Sequence, residues 1–280
     1  MSQHILAHLS AADPVLAGLI RAVGPCALAL QSECHPFEAL AQAIAHQQLN
    51  GTAANTILKR FIDGCGQGAF PTPQMVLAAS ERSLRAAGFS FAKVAALRDL
   101  ADKTLAALVP EAAVLLALGD EEIVTRLTQV RGVGRWTVEM MLMFRLGRPD
   151  VLPVDDFGVR SGFRAAYGLR KLPRPQVLAA WGERWRPYRS TAAWYLWRAL
   201  ELERAGQLTP PAQRVRLPRV RPRRRRAAAA TGRPRATRAA PARRRVSCGA
   251  SSSSPPRRSG GRSGSRRRRA PRSRVSDSRR

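Results

Sequence analysis

The sequence has few cysteines, and their spacing limits the kinds of site they can form. Four are present, and no two of them make a C-x-x-C pair: Cys26, Cys34, Cys65 and Cys248. This pattern signals neither a zinc site nor a disulfide framework. Reduced thiols in a cytosolic protein are the simplest interpretation.

Long hydrophobic runs are also missing, as are histidines at metal-ligand spacing. No apolar stretch approaches the ~20 residues that cross a bilayer, so we expect no membrane span. The first ten residues, M-S-Q-H-I-L-A-H-L-S, lack a basic segment before an apolar run, and we expect no signal peptide. We interpret all four histidines as structural or surface residues: His4, His8, His35 and His46.

Acidic residues are nearly absent from the last quarter of the chain. Residues 211–280 contain 25 arginines and a single acid, Asp277. A segment of Arg, Pro, Ala and Ser cannot bury enough apolar surface to fold, and a block of like charge binds polyanions. We therefore predict one domain over residues 1–208 and a disordered basic tail over residues 209–280.

No convincing strand pattern of alternating polar and apolar residues occurs, whereas helical spacing recurs throughout the body. Asp13-Pro14 and His35-Pro36 are typical helix starts, and Gly88 is a typical helix end. The body is predicted to be all-α, with about ten helices joined by short loops.

The stretch from Leu127 to Phe163 contains the most chemistry. A hairpin, Gly132-Val133-Gly134, separates two predicted helices, the second from about Trp136 to Leu146. Two glycines permit a tight turn, and the backbone N–H groups at the following helix start suit a DNA phosphate. A plain turn between helices is the alternative, but the flanking Arg131 and Arg135 favour anion binding.

A pair of acids, Asp155 and Asp156, follows at the next predicted helix start. One of them is expected to cap that helix, because Asp is a favoured N-cap residue. Two acids exceed what capping needs, and a carboxylate near aromatic side chains can stabilise a developing cation or activate water. The spacing of the two acids does not decide between capping alone and catalysis.

Two further features suit a flipped nucleotide base. Tryptophans are concentrated in the second half of the chain; most are expected to be core, but indoles can also stack a flat, cationic base. Gln47-Gln48-Leu49 ends an amphipathic helix and suits the gap left by an extruded base, although an ordinary polar helix end is the alternative.

These motifs resemble a known family. The segments V-R-G-V-G-R-W-T-V-E-M and D-V-L-P-V-D-D-F-G-V-R are similar to those of the helix-hairpin-helix, Gly/Pro-rich-loop, aspartate (HhH-GPD) superfamily of DNA glycosylases. The likeness is to its 3-methyladenine DNA glycosylase II type. It covers about residues 13–204, and several motifs occur in the same order.

The resemblance implies a two-lobed α-helical fold with the active site in the cleft between the lobes. Its catalytic aspartate falls on Asp156, with Asp155 as helper or cap; counting from Pro153 instead favours Asp155. The implied walls of the base pocket are Trp136, Met140 and Trp197.

The same resemblance implies the residues that hold DNA. The wedge that fills the emptied stack is expected at Gln47, Gln48 and Leu49, with Gln48 on the wedge position. Phosphate contacts are expected at Gly132, Gly134, Arg135 and Trp136. Relatives often carry a monovalent cation at this hairpin; no other metal and no cofactor is expected.

Two absences refine the expected activity. The hairpin neighbourhood, G-V-G-R-W-T, lacks the Schiff-base lysine of strand-cleaving relatives, so a monofunctional enzyme is expected. Four clustered cysteines for an iron–sulfur cluster are missing too.

The resemblance then implies hydrolysis of the N-glycosidic bond of alkylated purines, such as 3-methyladenine and 7-methylguanine, in double-stranded DNA. We expect a monomer in the bacterial cytoplasm, associated with the nucleoid. The alternatives are a DNA-binding protein without chemistry and a glycosylase for uracil, deaminated purines or oxidised guanine.

Overall fold

The structure, a computed structural model, describes residues 3–30, 35–209, 215, 217 and 218; the predicted disordered tail lies almost wholly outside them. The regular structure of these residues is helical, without a strand, as predicted. The helices are α1 Gln3–Ala12, α2 Pro14–Val23, α3 Pro36–His46, α4 Gly51–Cys65, α5 Pro73–Ala78, α6 Glu81–Ala87, α7 Phe91–Leu105, α8 Ala112–Ala117, α9 Asp120–Leu127, α10 Arg135–Phe144, α11 Phe157–Ala166, α12 Pro175–Gly182 and α13 Arg189–Arg204, with a 3₁₀ turn at Glu183–Trp185.

Local sequence signals explain most helix boundaries. The Asp13 side chain accepts hydrogen bonds from the first free N–H groups of α2, and the His35 ring does the same for α3. Gly88 ends α6 in the left-handed conformation that glycine adopts without strain. These three predicted boundaries are confirmed.

The end of α10 differs from the prediction, because the helix ends at Phe144 instead of Leu146. Helix α4 begins at Gly51, because Asn50 caps it. Helices α1 and α8 were not predicted from the sequence. Helix α8 is six residues long and has no side-chain cap, so it depends on packing against the rest of the body.

The helices pack in two groups. The middle of the chain forms the first group, in which α3 packs on α4, α7 and α10, α5 on α7, and α9 on α10. The two ends of the described chain form the second, in which α1 and α2 pack with α13, α11 and the 3₁₀ turn. We call these the central lobe and the terminal lobe. The loop between α10 and α11 joins them and carries Asp155 and Asp156.

A close crossing of α11 and α13 fixes the geometry of the terminal lobe. A Cβ atom on Gly162 would lie 1.7 Å from the carbonyl oxygen of Leu196, so only glycine permits this approach. The crossing places the start of α11 beside Trp197 on α13.

A buried carboxylate ties the terminal lobe together. Asp13 Oδ2 accepts hydrogen bonds from Tyr167 Oη (2.6 Å), Trp181 Nε1 (2.9 Å) and Trp185 Nε1 (3.1 Å). Burial and the neighbouring Asp13 charge raise the pKa of Tyr167 well above its ordinary value. Trp181 and Trp185 are therefore core residues that satisfy a buried acid.

The body's packing extends past the predicted boundary at residue 208. Val215 and Leu217 lie against the hydrophobic core, although most residues between and after them are outside the described part. The domain boundary itself stays a prediction. In the described part of the chain, no helix combines the length and apolar character needed to span a bilayer.

Candidate active site

Asp156 lies at the start of α11 with both carboxylate oxygens engaged. Oδ1 accepts from Val159 N (2.7 Å), which caps the helix, and from Trp197 Nε1 (2.9 Å). Oδ2 accepts from Trp136 Nε1 (2.8 Å). All three partners are donors, and the N-terminal end of the helix dipole adds further stabilisation of negative charge. The sequence-predicted acid is thus held rigidly while remaining partly exposed.

The two indoles reach Asp156 from different lobes. Trp136 belongs to the first turn of α10 in the central lobe, and Trp197 belongs to α13 in the terminal lobe. Trp136 is 47% exposed, so much of its ring faces solvent. Two of the predicted pocket walls are therefore brought together on the predicted catalytic acid.

Gly158 makes the approach of Trp197 possible. A Cβ atom at this position would lie 2.8 Å from Trp197 Cδ1, 3.0 Å from Nε1 and 3.1 Å from Asp156 Oδ1. Any side chain here would displace the indole from the carboxylate. The motif D-D-F-G contained this signal, which sequence reasoning did not use.

Asp155 has a different environment. Its side chain is exposed and has no hydrogen-bond partner among the described residues. The geometry therefore distinguishes the two acids: Asp156 is held by both indoles, and Asp155 is not. The catalytic role of either acid stays a prediction at this point.

A cavity of about 360 Å³ lies between α3 and α10, and we call it the α3–α10 cavity. Trp136 and Met140, two of the predicted walls of a base pocket, line this cavity, and so does Phe144. Phe144 stacks on Trp197 with ring centroids 5.8 Å apart, which connects the third predicted wall to the cavity. The remaining lining residues are Ala39, Leu40, Gln42, Ala43, His46, Thr137, Met141 and Arg145.

A second cavity, of about 470 Å³, lies on another face of α10 and has a charged lining. Its lining includes Asp120, Glu121, Glu122, Arg135, Glu139, Asp150, Arg186 and Arg189. The aromatic and aliphatic walls of the smaller α3–α10 cavity suit a flat base better, because ligand pockets are predominantly apolar with a few polar groups.

The glycine hairpin is anchored to α7. Gly132 has a φ of 78°, and the carbonyl oxygen of Val130 accepts from Val133 N (3.0 Å) to close the turn. Asp99 Oδ2 accepts from Arg131 N (2.7 Å). Val130 and Val133 are buried, while both glycines are exposed. The backbone of the predicted phosphate site is therefore exposed, while the buried valines and Asp99 hold the hairpin in place.

Arg135, the predicted phosphate contact beside the hairpin, is already paired. Its guanidinium makes two hydrogen bonds to Glu121 and a longer contact to Glu139 (3.5 Å). The hydrogen bonds to Glu121 raise the pKa of Arg135 above its ordinary value. Contact with a phosphate would require an exchange of these ion pairs.

Glu139 is a buried acid that sequence reasoning missed. It is 5% exposed, and burial raises its pKa to about 7, with Arg135 opposing the shift and the charges of Asp155 and Glu121 adding to it. Its position one turn after Arg135 was visible in the sequence, but its burial depends on the packing around α10.

The predicted wedge forms a turn whose first residue is anchored. Gln47 Nε2 donates to the carbonyl oxygen of Gly132 (2.7 Å), joining the turn to the hairpin. Lys93 Nζ donates to the carbonyl oxygens of Ala45 (2.8 Å) and Gln47 (2.7 Å) at the end of α3. Gln48 has a φ of 57° and is exposed, and Leu49 is 41% exposed. Gln48 and Leu49 are thus the side chains that remain available as a wedge.

No group of three or more His, Cys, Asp or Glu residues with metal-binding geometry occurs within the described ranges. The monovalent cation expected at the hairpin stays a prediction.

The fold agrees with a comparison to known families. The model of the HhH-GPD superfamily base excision DNA repair proteins matches residues 41–187, a range that includes α10, the hairpin and the two acids. The chain belongs to the HhH-GPD superfamily of base excision DNA repair proteins.

Named relatives and solved structures support this membership. DNA-3-methyladenine glycosylase 1 of Schizosaccharomyces pombe is 40% identical over 196 residues, covering 70% of this chain and 86% of that protein. A structure of the S. pombe 3-methyladenine DNA glycosylase with abasic DNA is 39% identical, has a TM-score of 0.64 and covers 70% and 96% of the two chains. The DNA-3-methyladenine glycosidase of Bacillus halodurans is 31% identical, with a TM-score of 0.66 and coverage of 72% and 91%.

Proposed function

We propose that this protein is a monofunctional DNA glycosylase of the 3-methyladenine glycosylase II type. It hydrolyses the N-glycosidic bond of alkylated purines, such as 3-methyladenine and 7-methylguanine, in double-stranded DNA. The observation that carries the proposal is Trp136, whose ring borders the α3–α10 cavity while its Nε1 donates to Asp156. One residue thus joins a base-sized cavity to a fixed carboxylate.

The mechanism follows from the charge of the lesion. Alkylation at N3 or N7 makes the purine cationic, so the base is a good leaving group and needs little help from a general acid. Asp156 stabilises the oxocarbenium-like sugar as the bond breaks and orients the attacking water. Trp136 and Trp197 fix the carboxylate in place, so no reorganisation is needed when positive charge develops.

The positions of the lysines support hydrolysis without strand cleavage. A lyase reaction needs a free amine that attacks the sugar carbon. Lys93 is the lysine joined to the hairpin through Gln47, and its Nζ donates to two backbone carbonyl oxygens. Lys103 Nζ is bound to Asp99 and to the carbonyl oxygen of Gln129.

The DNA contacts in this proposal come from the hairpin and the wedge. Backbone N–H groups at Gly132, Gly134 and Trp136 bind phosphate, while Gln48 and Leu49 enter the stack after the base is flipped. A single chain suffices for these contacts, and no cofactor takes part. A bacterial nucleoid location also remains a prediction.

The experiment that tests the proposal is release of free base from methylated duplex DNA by wild type and Asp156→Asn. We expect wild type to release 3-methyladenine and 7-methylguanine, and the variant to lose at least about 100-fold in single-turnover rate, roughly 2.7 kcal/mol of barrier. DNA affinity should change little, because the proposed phosphate and wedge contacts do not involve the Asp156 carboxylate.

Asp155→Asn is the matched control. It removes the same charge one residue away, and we expect a rate within a few-fold of wild type. Loss of activity in Asp155→Asn alone would move the chemistry to Asp155. Tight DNA binding without any base release would instead favour a non-catalytic DNA-binding protein.

A further inference from the structure

The α3–α10 cavity has an aromatic wall on one helix and a polar residue at the end of the other. Trp136 and Met140 come from α10, and His46 is the last residue of α3. His46 is exposed and directly precedes the wedge turn, which is bound to the hairpin through Gln47. It therefore lies where the lining of the cavity meets the wedge turn.

Another polar side chain in the lining is already committed. Gln42 Nε2 donates to Glu38 Oε1 (3.0 Å), and Gln42 Oε1 accepts from Arg145 Nη2 (3.0 Å). Both ends of this amide are used by neighbouring side chains. Gln42 and Arg145 thus hold the cavity's shape, and recognition of a ligand's polar edge requires a different group.

His46 offers such a group because its tautomer is fixed. Nδ1 lies 2.9 Å from the carbonyl oxygen of Gln42. A carbonyl oxygen only accepts, so Nδ1 carries the proton and Nε2 of the neutral ring is an acceptor. Among the residues that the structure describes, none makes a hydrogen bond to Nε2. His46 thus adds an acceptor without a described partner to the residues that line the cavity.

We propose that His46 is a specificity-determining residue, whose neutral Nε2 accepts a hydrogen bond from the exocyclic amino group of a purine in the α3–α10 cavity. The proposal rests on the proposed function, since the cavity must receive the flipped base. Adenine and guanine derivatives carry an amino group, whereas hypoxanthine derivatives carry none. The enzyme therefore favours alkylated amino-purines over their deaminated counterparts.

The discrimination follows from hydrogen-bond energetics. A hydrogen bond contributes a few-fold or more to binding, and an acceptor left without a donor in a desolvated site costs a similar factor or more. We therefore expect His46 to change the rate of base release roughly fivefold. This effect adds to the differences in rate that arise from the intrinsic lability of each lesion. Comparing each variant with wild type on the same lesion removes that lability from the result.

The test uses three duplexes that contain 7-methyladenine, 7-methylguanine or 7-methylhypoxanthine at one position. All three bases carry the same methyl group, and only the last lacks an amino group. The variants are His46→Asn, whose amide can keep the bond to the Gln42 carbonyl, and His46→Gln, whose amide oxygen can reach the former position of Nε2. Single-turnover base release is measured for each pair of variant and lesion.

We expect His46→Asn to slow release of at least one amino-purine roughly fivefold and to leave 7-methylhypoxanthine within about twofold. His46→Gln should recover much of the lost rate. Affinity for a duplex with an abasic-site analogue, which has no base to recognise, should be the same for all forms.

Two outcomes would overturn the assignment. Equal slowing on all three lesions, with weaker binding of the abasic duplex, would show that His46 contacts the DNA backbone. Unchanged rates on every lesion would show that it does not touch the base. If wild type releases none of the bases, the proposed function fails first, and the assignment of His46 fails with it.

Discussion

At the scale of single residues, two aspartates are held by similar hydrogen bonds but have different roles. Asp13 and Asp156 each cap a helix and accept hydrogen bonds from indole N–H groups. Asp13 is 1% exposed and also accepts from Tyr167, so its role is structural. Asp156 remains partly exposed, and its hydrogen-bond partner Trp136 lines the α3–α10 cavity, so the carboxylate is accessible to a substrate.

The structural role of Asp13 can be measured with Asp13→Asn. Three side-chain donors share Oδ2, and backbone donors use Oδ1. An amide has one acceptor oxygen, so at least one set of buried donors loses its partner. Each unsatisfied buried donor costs about 1–3 kcal/mol of stability. We expect a loss of roughly 3 kcal/mol in the free energy of unfolding, measured by urea denaturation.

Asp63→Asn is the control, because Asp63 is exposed on α4 and should change stability by less than about 0.5 kcal/mol. Equal stability of Asp13→Asn and wild type would mean that the Asp13 cluster contributes nothing to folding.

Glu139 makes stability depend on pH in a defined direction. Its folded-state pKa of about 7 lies above the ordinary value of 4.5, so the folded state binds more protons between these values. Its contribution to stability is therefore full below pH 4.5 and is lost as the pH rises through 7.

We expect the Glu139→Gln variant to lack this loss of stability at high pH. The stability of the variant relative to wild type should rise by more than about 1 kcal/mol between pH 5 and pH 8, as followed by urea denaturation at each pH. A constant difference across that range would show that Glu139 does not titrate there.

At the scale of elements, the crossing of α11 and α13 determines the site. Gly162 lets the two helices approach, and Gly158 lets Trp197 contact Asp156. We expect Gly158→Ala to displace the indole and to lower the single-turnover rate of base release at least about tenfold, or ~1.4 kcal/mol, with the fold retained.

Gly64→Ala on α4 is the matched control, since a Cβ atom there would meet no atom within 4 Å. It should retain full activity and be as stable as wild type or more so, because Ala favours helix. Full activity in Gly158→Ala would mean that the bond between Trp197 and Asp156 is dispensable.

At the scale of the whole molecule, the arginine-rich tail is predicted to add nonspecific DNA affinity. Because Val215 and Leu217 pack against the core, the truncation should follow Arg223 instead of residue 208, so that both packing residues are kept. We expect the truncated chain to keep its single-turnover rate within about twofold and to bind unmodified duplex more weakly at low salt.

The slope of log affinity against log salt should also be shallower for the truncated chain, because fewer counterions are released. Fluorescence anisotropy over a salt titration measures both quantities. Identical affinities for the two forms at every salt concentration would contradict a tethering role.

The sequence alone predicted the helical fold class and several helix starts, and it contained the motif order that resembles the family. These features are local: Asp13, His35 and Gly88 act on backbone groups within a few residues, so spacing along the chain suffices to predict them. It also indicated Trp136, Trp197 and the two acids as members of one site, through resemblance.

Sequence patterns could not show which acid the indoles hold, why Gly158 must lack a side chain, or that Glu139 is buried. Each of these depends on distances between lobes or helices that are far apart in the sequence, such as Trp136 and Trp197 meeting at Asp156. Periodicity reports which face of a helix is apolar, but contact between faces depends on how the helices cross.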